Sequence, residues 1–227
     1  MLLSVIVPVY NEAATIERIL ERVTGAPFEK EVLVVDDGSS DGTRDTLRAR
    51  DGRDGVRVLW SDRNRGKGAA LRRAIPETRG DVVVFQDADL EYDPRDYARL
   101  LEPILRHGAD AVYGSRFLGP HRVFLFWHYA ANRFLTLLTN VLFNTNLTDM
   151  ETGAKAFRGE VLRGLRLTAD RFDIEPEVTA RLFQQGRRVF EVPITYSGRG
   201  YAEGKKIGWR DGVAAGVRLL RCRLTRP

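Results

Sequence analysis

The residues best suited to chemistry stand at the end of an apolar run, where Val82-Val83-Val84-Phe85 leads into Gln86-Asp87-Ala88-Asp89-Leu90-Glu91. The run reads as a strand buried on both faces, as in a parallel sheet. Side chains alternate along an extended chain, so Asp87 and Asp89 would face one way, and Glu91 would extend the row. Carboxylates gathered so closely repel one another unless a cation joins them. Hard divalent ions such as Mg²⁺ or Mn²⁺ suit all-oxygen donors, above all when substrate phosphates fill the remaining positions. The plainer alternative is a solvated acidic turn capping a helix that begins near Pro94.

Other polar clusters follow other strand-like runs. Leu2 to Val9 ends in Tyr10-Asn11-Glu12, and Glu31 to Val35 ends in Asp36-Asp37-Gly38-Ser39. Val56 to Trp60 precedes Asn64-Arg65-Gly66-Lys67, and Ala109 to Tyr113 reads as a short fifth strand. Helical spacing through Ile16, Ile19, Leu20 and Val23, then through Leu71, Ala74 and Ile75, alternates with these runs. The pattern predicts an α/β fold: a Rossmann-like, doubly wound, mostly parallel sheet flanked by helices, with right-handed crossovers. Ligands of such sheets bind beyond the carboxyl ends of the strands, which places all four polar clusters on one rim. No G-x-G-x-x-G follows the first strand and no Walker A lysine motif is present, which argues against a dinucleotide dehydrogenase or P-loop enzyme.

The C-terminal half reads as amphipathic helices and one more strand. Val123 to Phe143 carries Trp127, Ala131, Phe134, Leu138 and Val141 at the spacing of one helix face. That face suits packing on the sheet or lying against lipid. Asp173 to Gln185 reads as a helix and Val189 to Val192 as a strand closed by Pro193. Tyr196 to Trp209 is glycine-rich and basic, the composition of a loop that could close over a site. One domain over 1-227 is expected, with no linker separating 1-115 from 116-227.

The formal charge of +5 and pI near 9.5 suit phosphate-bearing partners or an anionic membrane. A nucleic-acid partner is not expected, since no aromatic-basic stripe or known motif accompanies the charge. Cys222 is the single cysteine, so no intramolecular disulfide can form, which fits a reducing compartment. The start reads as a strand, not a signal peptide, and no run approaches the length of a membrane span.

The motifs, taken in order, resemble those of glycosyltransferase family 2, with the GT-A fold. They are Val7-Pro8-Val9-Tyr10-Asn11-Glu12, Val35-Asp36-Asp37-Gly38-Ser39-Ser40-Asp41-Gly42-Thr43, Asn64-Arg65-Gly66-Lys67-Gly68, Asp87-Ala88-Asp89, Gly114-Ser115-Arg116 and Glu191-Val192-Pro193-Ile194. Within the family the chain is most similar to the dolichyl- and polyprenyl-phosphate sugar synthases, such as dolichyl-phosphate mannose synthase. The resemblance implies that Pro8, Tyr10 and Glu12 frame a nucleotide base, and that Asp37, with Asp36, binds base or ribose. Lys67 would lie beside the nucleotide, and Asp87 and Asp89 would hold Mg²⁺ or Mn²⁺ on the diphosphate. Glu91 stands where the mannose synthases commonly have Gln and would add a charged ligand. Arg199 and Lys205 resemble the basic residues of the family's late loop, although the spacing between them differs. The resemblance also implies a nucleotide-sugar-binding half over 1-115 and an acceptor-binding, membrane-proximal half over 116-227.

The expected reaction is an inverting transfer of mannose or glucose from a GDP- or UDP-hexose to a polyprenyl or dolichyl phosphate. It would take place on the cytoplasmic face of a membrane, to which the protein is peripheral. A lipid monophosphate is already ionised at neutral pH and needs no strong base. A hydroxyl acceptor would need a carboxylate within hydrogen-bond reach, for which Glu177 and Asp149 are the candidates. A family 2 enzyme with a soluble or glycan hydroxyl acceptor, and a catalytically silent nucleotide-sugar-binding protein, are the alternatives.

Overall fold

The computed structural model describes residues 1–119, 121–122, 125–198 and 208–225. Strand β1 (Leu3–Val9) lies inside the sheet, hydrogen-bonded in parallel to β2 (Lys30–Asp36) on one side and β4 (Val82–Phe85) on the other. With β3 (Val56–Trp60), β5 (Ala111–Ser115), β6 (Lys155–Arg158) and β7 (Val189–Pro193), the order across the sheet is β3-β2-β1-β4-β6-β5-β7. The period-2 alternation of these strands divides the core cleanly. Val5 and Val7 of β1, Val32 and Val34 of β2 and Val84 of β4 share one apolar layer. Ile6, Leu33, Val35, Val83 and Phe85 point into the other. Burial on both faces explains why these strands read as unbroken apolar runs.

Helices α1 (Ile16–Thr24), α2 (Thr43–Arg50) and α4 (Tyr97–Arg106) contribute to the first layer. The second is covered by α3 (Lys67–Ala74), the short α6 (Gly159–Arg163), α7 (Ile174–Gln184) and α8 (Trp209–Leu224). One turn of 3₁₀ helix, Pro94–Asp96, begins the segment expected to start a helix at Pro94. Asp93 caps it by accepting a bond from Arg95 N.

The sequence reading missed β6. Its four residues run antiparallel between β4 and β5, with Lys155 paired to both Phe85 and Tyr113. Because β6 is antiparallel, its first residue stands at the carboxyl ends of its neighbours. The chain entering it, 149–154, therefore passes over the rim where Asp87 emerges. The two halves of the sequence also interleave in one sheet, since β6 from the second half separates two strands of the first.

Helix α5 (Phe126–Phe143) packs through Leu135, Thr136 and Thr139, and α8 lies beside it. Leu138, grouped by its spacing with Phe134 and Val141, packs against the core, whereas those two are exposed. Phe126, Trp127, Phe134, Leu137 and Val141 of α5 are exposed, as are Trp209, Val213, Val217, Leu220 and Leu224 of α8. Among the described residues no helix is long and apolar enough to cross a membrane.

Candidate active site

The loops after β1 and β2 lock together through complementary side chains. Ser39 Oγ accepts from Asn11 N at 3.0 Å, and Asn11 Oδ1 accepts from Ser40 N at 2.8 Å. Glu12 N and Ala13 N donate to Thr43 Oγ1 and Asp41 Oδ2. Asn11 adopts φ 51°, a left-handed conformation that Asn tolerates better than most residues. Pro8 and Tyr10 stay half-buried on this rim, whereas Glu12 is buried and its Oε2 accepts from Thr15 Oγ1 at 2.8 Å.

Asp36 and Asp37 are engaged within the protein. Asp36 pairs with Arg44 at 2.7 Å and accepts from Ser39 N. Asp37 accepts from the backbone of Arg65 and Gly66 at 2.7–3.0 Å, and burial pushes its carboxyl upward despite those bonds. Both were expected on base or ribose. In the structure they also brace the loops, with Asp37 tying the Asn64-Arg65-Gly66 turn to β2. Gly66 then enters α3 at φ 105°, and a Cβ there would stand 2.4 Å from Asp170 O. That contact requires glycine at the position.

Beyond β4 the extended alternation stops at Phe85. Asp87 to Glu91 form a turn in which Asp89 Oδ1 accepts from Glu91 N at 3.1 Å and Leu90 takes φ 64°. The simple row of carboxylates expected from strand geometry therefore does not extend to Glu91. Its Oε2 accepts from Tyr196 Oη at 2.7 Å. Among the described residues no three His, Cys, Asp or Glu side chains converge as a metal cage. Asp87 and Asp89 still offer hard oxygens suited to Mg²⁺ or Mn²⁺ in company with phosphate and water. A cation already rests on this carboxylate: Lys67 Nζ stands 2.7 Å from Asp87 Oδ1. Asp87 Oδ2 lies over Gly153, where an added Cβ would approach it to 2.3 Å.

Lys67 also pairs with Glu175 Oε1 at 3.0 Å. Burial disfavours its charge, yet Asp87 and Glu175 hold its pKa above that of an ordinary amine. Glu175 Oε2 in turn meets Lys155 Nζ at 2.5 Å. Glu175 stays below the usual carboxylate range because Lys155 and Lys67 outweigh its burial. Nearby, Glu151 Oε1 is buried without a hydrogen bond, and burial pushes its carboxyl up to about 7.

A second polar cluster adjoins the first at Gly153 and Tyr92. Arg116 grips Asp149 through Nε and a terminal nitrogen at 2.7 and 2.8 Å, and its guanidinium lies 5.3 Å from the Tyr196 ring. Asp149 is held below the usual carboxylate range, since Arg116 overcomes its burial. Glu191 accepts from the backbone of Thr148 and Asp149, which accounts for the glutamate in the Glu191-Val192-Pro193 signature. Tyr92 Oη accepts from Gly153 N at 2.9 Å, and its ring lies tilted at 48° to that of Tyr196, with centroids 5.5 Å apart.

Both base candidates are engaged within the protein. Asp149 is locked to Arg116. Glu177, fully buried, accepts from Thr168 N, Thr168 Oγ1 and Ala169 N at 2.7–2.8 Å. It fixes the loop that packs on Gly66. Arg199 and Lys205 lie outside the described residues. Glu151, Lys155 and Glu175 were not singled out from the sequence. The signal available was a lysine in the otherwise apolar Ala154-Lys155-Ala156-Phe157.

Residues 4–166 match the sequence profile of glycosyl transferase family 2. The chain belongs to that family. Among family 2 relatives, the undecaprenyl-phosphate mannosyltransferase of Micrococcus luteus is 34% identical over 239 residues, spanning 96% of this chain and 97% of that one. The dolichol-phosphate mannosyltransferase of Pyrococcus furiosus is 30% identical over 92% of this chain, and the match covers 60% of that relative. The structure of glucosyl-3-phosphoglycerate synthase from Mycobacterium tuberculosis, bound to Mn²⁺, UDP and glucosyl-3-phosphoglycerate, aligns over 99% of this chain and 80% of that one. Its TM-score of 0.77 at 24% identity establishes the shared GT-A fold. The protein is thus a glycosyltransferase with a mixed α/β sheet.

Proposed function

We propose that this family 2 glycosyltransferase moves a hexose, mannose or glucose, from a GDP- or UDP-sugar to a polyprenyl phosphate, inverting the anomeric centre. The end-to-end likeness to the Micrococcus luteus undecaprenyl-phosphate mannosyltransferase carries the reading. The locked states of Asp149 and Glu177 support it, because an ionised phosphate acceptor needs neither as a base. Tyr10 would offer its ring to the base, with Pro8 and Glu12 shaping that rim. Asp36 and Asp37 would act indirectly, by fixing the loops.

Asp87 and Asp89 would hold Mg²⁺ or Mn²⁺, which when bound would offset charge on the departing diphosphate. Arg116, held rigid by Asp149, would keep positive potential on the acceptor wall. The protein would work peripherally on the cytoplasmic face of a membrane. The apolar faces of α5 and α8 are suited to acyl chains, and Arg210, Arg221 and Arg223 to anionic headgroups.

The test supplies labelled GDP-mannose, GDP-glucose, UDP-glucose or UDP-mannose with Mg²⁺ or Mn²⁺, together with undecaprenyl phosphate or hydroxyl acceptors. Label extracted as an acid-labile lipid phosphate is the expected result. Transfer to hydroxyl acceptors alone would overturn the acceptor assignment. Nucleotide binding with no turnover of any donor would make the protein a silent binder.

A further inference from the structure

A chain of alternating charge runs from the core to the rim. Lys155, Glu175, Lys67 and Asp87 follow one another in contacts of 2.5, 3.0 and 2.7 Å. Their side chains grow steadily more exposed, at 0, 5, 12 and 21%. The inner end is firmly anchored. Lys155 Nζ also donates to Met150 O at 3.1 Å and to Thr152 O, and lies 4.7 Å from the Tyr113 ring. The middle link is the longest, since Glu175 Oε1 is buried and meets Lys67 at 3.0 Å as an ion pair without an aligned hydrogen bond.

Such a chain adds little net stability, because burying charges costs about as much as their attraction returns. Its effect is on position and on sharing of charge. Lys67 Nζ divides its attraction between Glu175 and Asp87, so Asp87 does not take the whole of that cation. Gly153 admits the other oxygen of Asp87, which a Cβ there would approach to 2.3 Å.

The geometry points to Glu175 as a positioning residue that acts through Lys67. By drawing the ammonium inward, it leaves Asp87 able to bind a divalent cation together with the donor's diphosphate. Neutralising Glu175 would turn Lys67 wholly onto Asp87, where it would compete with the metal. This inference rests on the proposed metal–diphosphate role of Asp87. It adds that the site's cation affinity is set from the buried end, by a residue that touches neither metal nor nucleotide.

The experiment is Mn²⁺ binding followed by electron paramagnetic resonance in the presence of UDP or GDP, whichever the wild-type protein binds. It is run on wild type, Glu175→Gln, Lys67→Met and the double variant. Glu175→Gln should weaken Mn²⁺ about 10–100-fold, the range for outer-sphere partners of a metal site. In the Lys67→Met background the same change should have almost no effect, because the residue through which it acts is gone. Equal weakening in both backgrounds, or none in either, overturns the inference. If Glu175→Gln melts early with Lys155 left unpaired, Glu175→Gln/Lys155→Met replaces it. That pair removes both buried charges while giving Lys67 the same new freedom, and carries the same expectation. A wild-type protein that binds no Mn²⁺ with either nucleotide refutes the proposed donor site itself, and the inference with it.

Discussion

Glu151→Gln tests how strongly the buried rim controls protonation. The Glu151 carboxyl is pushed from an ordinary 4.5 to about 7 by burial, with Lys155 opposing the shift and Glu175 reinforcing it. Between those values the native chain keeps a proton that the unfolded chain has released. The native state then binds more protons, so stability falls as pH rises through this window and levels off above it. At about 1.4 kcal/mol per pH unit, the loss attributable to this residue is on the order of 3 kcal/mol. Glutamine keeps the shape and cannot ionise. Urea unfolding of both proteins from pH 4 to pH 8 isolates the term as a difference. Relative to the variant, wild type should be about 3 kcal/mol better placed at the acid end than at the neutral end. A difference that stays level across the series would refute the assignment of a neutral Glu151 in the folded chain.

Three further substitutions separate chemistry from scaffolding. Asp89→Ala should abolish transfer and leave the thermal melt unchanged; wild-type turnover in excess chelator would sink the metal reading. Glu177→Ala should cost about 3 kcal/mol in urea unfolding, from loss of charged bonds to Thr168 and Ala169. A base at that position would instead lower kcat by 10²–10⁴ at undiminished stability. Phe134→Glu changes a residue 65% exposed, so the melt should shift by no more than about 0.5 kcal/mol. Sedimentation with anionic vesicles and transfer to lipid acceptor should fall together, and undiminished vesicle binding would remove α5 from the docking face.

The sequence by itself determined the family, the strands β1 to β4 and the rim on which the polar clusters meet. The reason is local: strands buried on both faces must be apolar throughout, and each carries its polar residues just past its carboxyl end. Loop signatures were legible as motifs, but their partners were not. Asp36, Asp37 and Glu177 have the residue types of a binding site. Only the folded chain gives them to Arg44, to the Arg65–Gly66 turn and to the 168–169 backbone. Strand β6 escaped because four residues with a lysine among them carry no clear period. Its antiparallel insertion between β4 and β5 is nevertheless what buries Lys155 below the rim that carries Asp87, and sets Gly153 against that carboxylate. Glu175 reaches the same point from α7, 88 positions further along the chain than Asp87. Contacts between residues so distant in sequence leave no spacing to read. They follow from which strand lies beside which, and tertiary packing alone decided that.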